Sequence, residues 1–523
     1  MSRRRGRRPP QRQSPEPGPL PSTLAPSQAP AAARPVPSPL WDGALLLAAL
    51  AFVVVYQFLT SGLFSTDSFF HIRFAELMRE QGTIRSLPSL PFSVHGTHYR
   101  DHHWLSHLLQ MPFTAFPDLL TGAKISAATF AALAHLVFYW TLRRLGVERP
   151  GAWTAFLAVC SPGFLVRLEM ARVQSQSLAF LLTGLVALEL RRWRLLAVVA
   201  FLYVWLYDGF AVLLLMTALW GVAEGIRSRK VPVAALVAAG LGTFLALVVN
   251  PYFPENLASY AFNFQRIFLQ KAPVAVGGEW GSPRLMEGLA DAGVSVVVLA
   301  IALAAEILRR RWRVLLEPHV LWALAGLAFY VGARRWIEYL PPLCLLAGAL
   351  ALRGVRLPGR VLAAALVVVA SVNGSTFADR LSWALPRKTF EGAASWLSAN
   401  SRPGDVVFNV DWDRYTMLFF HNPKGRYVTG LDPNYLYYYD RGLYWIWRSV
   451  QKAEPVDLKA ALARFGARYL VTSARRRRVY TRAEEQGLAL RYRDAEARVY
   501  ELPSGPLPDR PPAAGPGGAP ARP

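Results

Sequence analysis

Cysteine is nearly absent: the two in 523 residues, Cys160 and Cys344, both lie inside apolar runs. A disulfide framework and a cysteine zinc site are therefore excluded. Acidic residues are also scarce, 34 Asp+Glu against 58 Lys+Arg, which leaves a formal charge of +24. In a soluble chain such an excess suggests a nucleic-acid partner. Here the basic residues fall in short clusters between apolar runs, as in cytoplasmic loops under the positive-inside rule, and no nucleic acid is expected. The N-terminal stretch lacks an apolar core near its start, so no cleavable signal peptide is expected. Residues 1–40 read instead as a disordered, basic, Pro-rich tail held in the cytoplasm, and 503–523 as a second disordered tail. No internal repeat is detectable.

What the chain has in abundance is apolar sequence, 53% hydrophobic with a mean hydropathy of +0.23. Several runs approach the roughly 20 residues that span a bilayer, so a polytopic α-helical membrane protein is expected. About eleven spans are predicted: 41–64, 119–142, 151–166, 177–190, 195–207, 210–226, 231–249, 292–308, 314–333, 339–352 and 361–372. The basic hinges between them then share one side. The other side, taken as exoplasmic, receives a first loop at 65–118 and a large loop at 250–291. The first loop is expected to hold an amphipathic helix from Phe69 to Glu80 and a His- and Trp-containing stretch, Arg100 to Phe113, that re-enters the interface. Asp67, His71, Glu169, Gln174, Gln176, Asp208, Glu279 and Arg335 all fall at exoplasmic helix ends, where ionisable residues suggest function.

After about residue 375 the pattern becomes that of a soluble domain. ASWLSAN and DLKAALARFG read as helices, and DVVFNV, RYVTG, RYLVT, LALRYR and ARVYEL as strands. Residues 375–502 are therefore expected to form an exoplasmic α/β domain on the transmembrane domain of 41–374.

Carboxylates gathered at helix ends can bind a hard divalent cation or accept a proton from a nucleophile. An arginine beside them can grip a phosphate through two parallel hydrogen bonds. Asp67, Glu279 and Arg335 together suggest transfer of a group carried on a lipid phosphate.

The motifs carry a resemblance. Asp67 in TDSFFHIRFAELM resembles the first-loop aspartate motif of the GT-C membrane glycosyltransferases, most closely the catalytic subunit of oligosaccharyltransferase. Glu279 in VGGEWGSP is similar to that family's fifth-loop glutamate, and Arg335 in ARRWIEY to its phosphate-contacting arginine. PGDVVFNVDWDRY is similar to the Trp-Trp-Asp-Tyr-Gly segment of the external domain. The resemblance covers order and topology over most of residues 41–430. It implies a GT-C fold and transfer of a sugar or oligosaccharide from a polyprenyl phosphate or diphosphate, in a bacterial-type inner or plasma membrane. Asp67 and Glu279 would be catalytic, Arg335 and Arg334 would hold the donor phosphate, and His71, Trp412 and Asp413 would lie on the acceptor side or support it.

Two departures shape what is implied. Where the family's second loop has an acidic pair, this chain has Gln174 and Gln176, and amides are poor cation ligands. A divalent cation, Mg or Mn, would have to rest on Asp67 and Glu279 with Glu169 or Asp208. Asp411 to Tyr415 keeps only the second tryptophan and the aspartate of the acceptor segment, so an Asn-x-Ser/Thr acceptor is not implied.

Plainer readings stand beside these. Asp67 is also placed to cap a helix beginning near Ser68, His71 to be merely interfacial, and Asp208 and Glu279 to be turn residues. Arg334 and Arg335 suit snorkelling. The aromatic run Asn434 to Trp447 reads as a helix packing on the membrane domain or the interface. Arg475 to Arg478 reads as a solvated turn or a lipid head-group contact. A lipid-linked-sugar transporter and a non-catalytic relative are the alternative classes.

Overall fold

The computed structural model describes residues 39–268, 274, 277–355 and 358–502. The two tails expected at the ends of the chain lie outside them, apart from Pro39 and Leu40, which open the first helix. The first half of the chain runs through α1 (Pro39–Phe58), α2 (Thr66–Gln81), α3 (Val94–Thr97), α4 (Trp104–Gln110), α5 (Leu119–Arg144), α6 (Pro150–Val159) and α7 (Pro162–Leu168). It continues through α8 (Gln174–Glu189), α9 (Trp193–Leu206), α10 (Phe210–Ser228), α11 (Val233–Val248) and α12 (Glu255–Phe268). Next come α13 (Leu285–Leu308), α14 (Pro318–Gly332), α15 (Leu340–Ala351) and α16 (Gly359–Leu381).

Among the described residues five helices, α1, α5, α10, α13 and α16, are long and apolar enough to cross a membrane. The pair α6 and α7 makes a sixth if read as one span, bent by 93°. The bend has a local cause: Pro162 cannot continue the preceding helix, and Ser161 restarts it by accepting from Phe164 N–H at 3.1 Å. Four shorter apolar helices, α9, α11, α14 and α15, accompany them, so length and composition alone give five or six spans among the described residues rather than the eleven expected. Only 22% of the apolar window of α1 and 11% of that of α16 is buried by protein. Val55, Phe244, Ile301 and Val367 stay exposed on these helices, so the remaining apolar surface needs lipid to cover it.

The helix ends that carry basic hinges meet one another. Gly151 N–H donates to Asp42 Oδ1 (2.9 Å), and Arg191 and Arg227 share Glu224. At other ends, Lys124 donates to Thr60 O and Arg380 pairs with Asp291 at 2.9 Å.

The helix of the first loop begins three residues earlier than its hydrophobic pattern indicates. Ser65 is its N-cap and accepts from Asp67 N–H at 3.2 Å, and Gly82 at φ 76° closes its far end. The capping reading of Asp67 is thereby corrected: Asp67 lies inside the first turn, and its carboxylate points elsewhere. Ser65→Ala is expected to cost about 1 kcal/mol, read as a small drop in the thermal midpoint of the detergent-solubilised protein.

The remaining elements build a sheet. They are α17 (Glu391–Asn400), β1 (Val406–Asn409), α18 (Tyr415–His421), β2 (Arg426–Tyr427), α19 (Pro433–Tyr439) and α20 (Arg441–Gln451), then α21 (Leu458–Arg464), β3 (Ala467–Ser473), α22 (Arg477–Glu485), β4 (Ala489–Arg493) and β5 (Ala497–Glu501). Strand order is β2-β1-β3-β5-β4, with β1 parallel to both neighbours and β5 antiparallel to β3 and β4. Strand alternation sends side chains to two cores. Val407, Tyr469, Val471 and Val499 face one; Val406, Phe408, Leu470 and Tyr500 face the other.

The first of these cores also contains α2. Phe69 packs edge-on to Phe420 (5.3 Å), Phe70 lies 5.4 Å from Phe419, and Arg73 Nε donates to Phe420 O at 2.8 Å. Farther along the loop, Ser89 O accepts from Tyr427 N–H at 2.8 Å. The first loop is therefore a structural layer of the sheet domain, and α2 joins that domain to the helices. The aromatic run from Asn434 is not one helix: Asp440 ends α19 and caps α20. Tyr444, Trp447 and Val450 face the second sheet core rather than lipid, and Tyr438 meets Phe262 of α12 at 5.1 Å.

Candidate active site

Four segments distant in sequence meet at the end of the helices where α2 begins. From α2 comes Asp67. From the bend after α7 comes Arg172, whose Nη1 lies 3.1 Å from Asp67 Oδ2. Arg167, on α7 itself, is nearly buried and forks between Glu279 Oε2 (2.6 Å, from Nη1) and Glu338 Oε2 (3.1 Å, from Nε).

Glu279 lies in the 3₁₀ turn Gly278–Trp280, and Arg335 in the 3₁₀ turn Arg334–Glu338 that follows α14. Arg335 Nη1 is 3.7 Å from Glu279 Oε1, Nη2 donates to Tyr207 Oη at 2.6 Å, and the guanidinium lies over Trp280 at 4.0 Å. Arg334 takes a different part. Its side chain donates to Gly278 O at 2.6 Å, its backbone N–H donates to Gly281 O at 3.0 Å, and it pairs with Glu287 at 3.1 Å. Arg334 thus clasps the loop, and Arg335 faces inward. A Cβ on Gly278 would stand 2.9 Å from Arg334 Nη2, the far end of a flexible side chain that can shift to make room.

Burial alone would raise the Glu279 carboxyl, but Arg167, Arg335 and Arg172 outweigh it and hold the group well below the usual carboxylate range. Its ion pairs are therefore intact at neutral pH. Any stability they contribute is present above the ordinary carboxylate pKa and is lost as pH falls through the lowered one. Because Arg172 pairs with Asp67 and also acts on Glu279, the two carboxylates belong to one electrostatic unit.

A second set of side chains adjoins this one. His71, one turn beyond Asp67 on α2, places Nδ1 2.7 Å from His107 Nε2, and His107 Nδ1 is 2.6 Å from Asp101 Oδ2. His103 lies 5.1 Å from the His71 ring and stacks on Tyr207 at 5.4 Å, the same Tyr207 that Arg335 contacts. Burial, with neighbouring histidines and Arg172, pushes His71 and His103 well below the ordinary imidazole pKa, so both are neutral at pH 7.

The other residues singled out by sequence are distributed as follows. Glu169 is fully buried beside Gln57 of α1, and Asp208 accepts from Asn263 at 2.7 Å. Gln174 and Gln176 open α8, buried, with no hydrogen-bond partner for either amide among the described residues. Trp412 packs on the second sheet core, and Asp413 pairs with Arg414 at 3.6 Å, while Asp411 holds Arg476 at 2.7 Å. The turn Trp412–Arg414 that holds both also lies against α2, the helix of Asp67 and His71.

No family model and no curated protein matches the chain. Solved structures do. The oligosaccharyltransferase AglB from Archaeoglobus fulgidus, in complex with an inhibitory peptide and a dolichol-phosphate, aligns with a TM-score of 0.59 at 13% identity, covering 83% of this chain and 69% of that one. ArnT from Cupriavidus metallidurans, bound to undecaprenyl phosphate, aligns at 0.51 and 16% identity, covering 89% and 98%. The chain has the GT-C glycosyltransferase fold. The arabinofuranosyltransferase AftD from Mycobacteria shares it at 0.53 and 16% identity, over 89% of this chain and 42% of that one. With its apolar helices and this fold, the chain is an integral membrane protein.

On this GT-C frame the expected cation site meets its test in the donor set. Asp67 faces Arg172, Glu279 faces two arginines, Asp208 is bound to Asn263, and Glu169 is turned to Gln57. Among the described residues no group of three His, Cys, Asp or Glu side chains is arranged to hold a metal ion. These carboxylates do not fit a divalent cation: guanidinium groups already meet the charge of Asp67 and Glu279, and Glu169 and Asp208 each face a different amide.

Sequence reading left Arg167, Arg172, Tyr207, Glu338, Asp101, His103 and His107 without roles. Two signals pointed to some of them: the spacing of four between His103 and His107, and arginines on the side where positive charge is disfavoured. Arg335→Lys is expected to weaken binding of a polyprenyl phosphate by about tenfold, since lysine keeps the charge but loses the planar fork and the stacking on Trp280. Titration of the purified protein with that lipid checks this.

Proposed function

We propose that this protein is a membrane glycosyltransferase that moves a sugar or oligosaccharide from a polyprenyl-phosphate-linked donor to an acceptor at the exoplasmic face. In this reading all eleven apolar segments cross the bilayer, the N-terminus is cytoplasmic, and the sheet domain of 375–502 stands outside. The single observation that carries it is the convergence of Asp67, Glu279 and Arg335, from three separate segments, around Arg167 and Arg172 on a GT-C frame.

Arg335, stacked on Trp280, grips the donor phosphate and offsets the charge that develops as the bond to the sugar breaks. Asp67 activates and aligns the acceptor nucleophile, and Glu279 completes the site from the large loop. Arg167 and Arg172 fix the two carboxylates in place. Arg334 keeps that loop closed on the site. Mass spectrometry of glycans and glycoconjugates from cells with and without the protein tests the reading: a sugar increment lost with the protein is expected. An unchanged acceptor profile, with lipid-linked sugar accumulating on one leaflet, would identify a flippase instead.

A further inference from the structure

We infer that His71 is the proton acceptor of this site and that Asp101 and His107 are positioning residues that hold its outer nitrogen, Nε2, in the acceptor state. The inference rests on the proposed transfer reaction and adds the destination of the proton.

The tautomers follow from the chain of contacts. An ionised carboxylate only accepts, so Asp101 Oδ2 takes the Nδ1–H of His107 at 2.6 Å. With His107 neutral, its Nε2 accepts, and it takes the Nδ1–H of His71 at 2.7 Å. His71 is left with a lone pair on Nε2, on the edge of the ring turned away from His107. Asp101 is further fixed by the backbone N–H of His103 at 2.9 Å. His107 has no exposed surface, Asp101 and His71 are buried, and Phe74 lies 4.8 Å from the His107 ring, so water does not compete for these bonds.

Position ties the relay to the site. His71 is four residues beyond Asp67, on the same face of α2. Arg172, the partner of Asp67, is among the charges acting on His71, along with His102 and His107, and the His103 ring lies 5.1 Å away. Among the described residues Asp67 meets Thr66 and Arg172, whereas His71 leads on to His107 and Asp101.

The step balances as follows. The acceptor X–H loses its proton to His71 Nε2 while X bonds to the anomeric carbon. The bond from that carbon to the phosphate oxygen breaks, its electron pair leaving on the phosphate beside Arg335. His71 then passes its Nδ1 proton to His107 Nε2. The positive charge comes to rest on His107, facing the Asp101 carboxylate, and His71 is neutral again with its proton on Nε2. The reverse transfers after product release restore the chain. An isolated imidazolium at His71 would be costly in this buried place, and moving the charge to His107 removes that cost.

The test has two arms. Full-length protein with ¹⁵N-labelled histidine, in lipid nanodiscs, should show His71 and His107 both protonated on Nδ1, assigned by the signals lost in His71→Gln and His107→Gln. Asp101→Ala should release this tautomer and Asp101→Glu should restore it. A His71 protonated on Nε2 in the unmodified protein would overturn the inference. In cells, the glycan increment should fall roughly 10²-fold or more in His71→Gln and about tenfold in Asp101→Ala. Full transfer in His71→Gln with transfer lost in Asp67→Asn overturns the relay alone. Full transfer in both overturns the proposed function itself.

Discussion

Asp67→Asn protein is expected to accumulate in the membrane, to purify as a folded, monodisperse species, and to lose transfer by roughly 10²-fold or more. The two halves of this expectation have separate grounds. Asparagine keeps the shape of the side chain and leaves the Ser65 cap and its bond to the Asp67 N–H untouched. The lost ion pair to Arg172 is partly exposed, 32% on the aspartate side, and pairs of that kind contribute about 0–1 kcal/mol. Function is another matter, because the amide does not carry the charge that aligns and activates an acceptor nucleophile. Side-by-side measurement of thermal unfolding and glycan increment separates the two, and an unfolded Asp67→Asn variant would move Asp67 from chemistry to structure.

The largest effect on stability is expected at Glu338. With Arg167 it forms an ion pair in which the side chains are 2% and 7% exposed. Glu338→Ala leaves the guanidinium buried with Glu279 as its one remaining ion-pair partner among the described residues, at a cost of about 3–5 kcal/mol. The loss should appear as a markedly lower unfolding temperature in detergent. Replacing both partners, Arg167→Met with Glu338→Leu, should recover most of that stability, because no unpaired charge is left inside. Transfer should not recover with it, since Glu279 then keeps Arg335 but lacks the shorter of its two ion pairs.

The helical segments were legible because each apolar run has to be covered by lipid or by other helices, and that need is written in composition. Strands of the sheet domain were legible for a similar reason: Val406, Val407 and Phe408 are buried on both faces of the sheet. Asp67 and Arg335 were singled out because ionisable residues are costly where apolar runs end, and Glu279 through its resemblance to the family's loop motif. The rest of the site depends on tertiary contact. Nothing in the local sequence says that Arg167 forks between residues 112 and 171 positions away, or that Arg334 and Arg335, side by side, do different work. The role of α2 as a wall of the sheet domain was hidden for the same reason. Its phenylalanines read as an interfacial face until Phe419 and Phe420 are seen against them. Ser65 took the capping role that Asp67 also suits, a choice that backbone geometry alone decides.

The central claim, that a sugar leaves a polyprenyl phosphate at the Asp67 site, is tested most directly by following the released lipid. Purified wild-type and Asp67→Asn proteins in nanodiscs are incubated with the lipid-linked sugars and acceptor extract of the host cell, and polyprenyl phosphate or diphosphate is quantified by mass spectrometry. Acceptor-dependent release by the wild type, absent from the variant, is predicted. No release by the wild type, or equal release by both, would contradict the account.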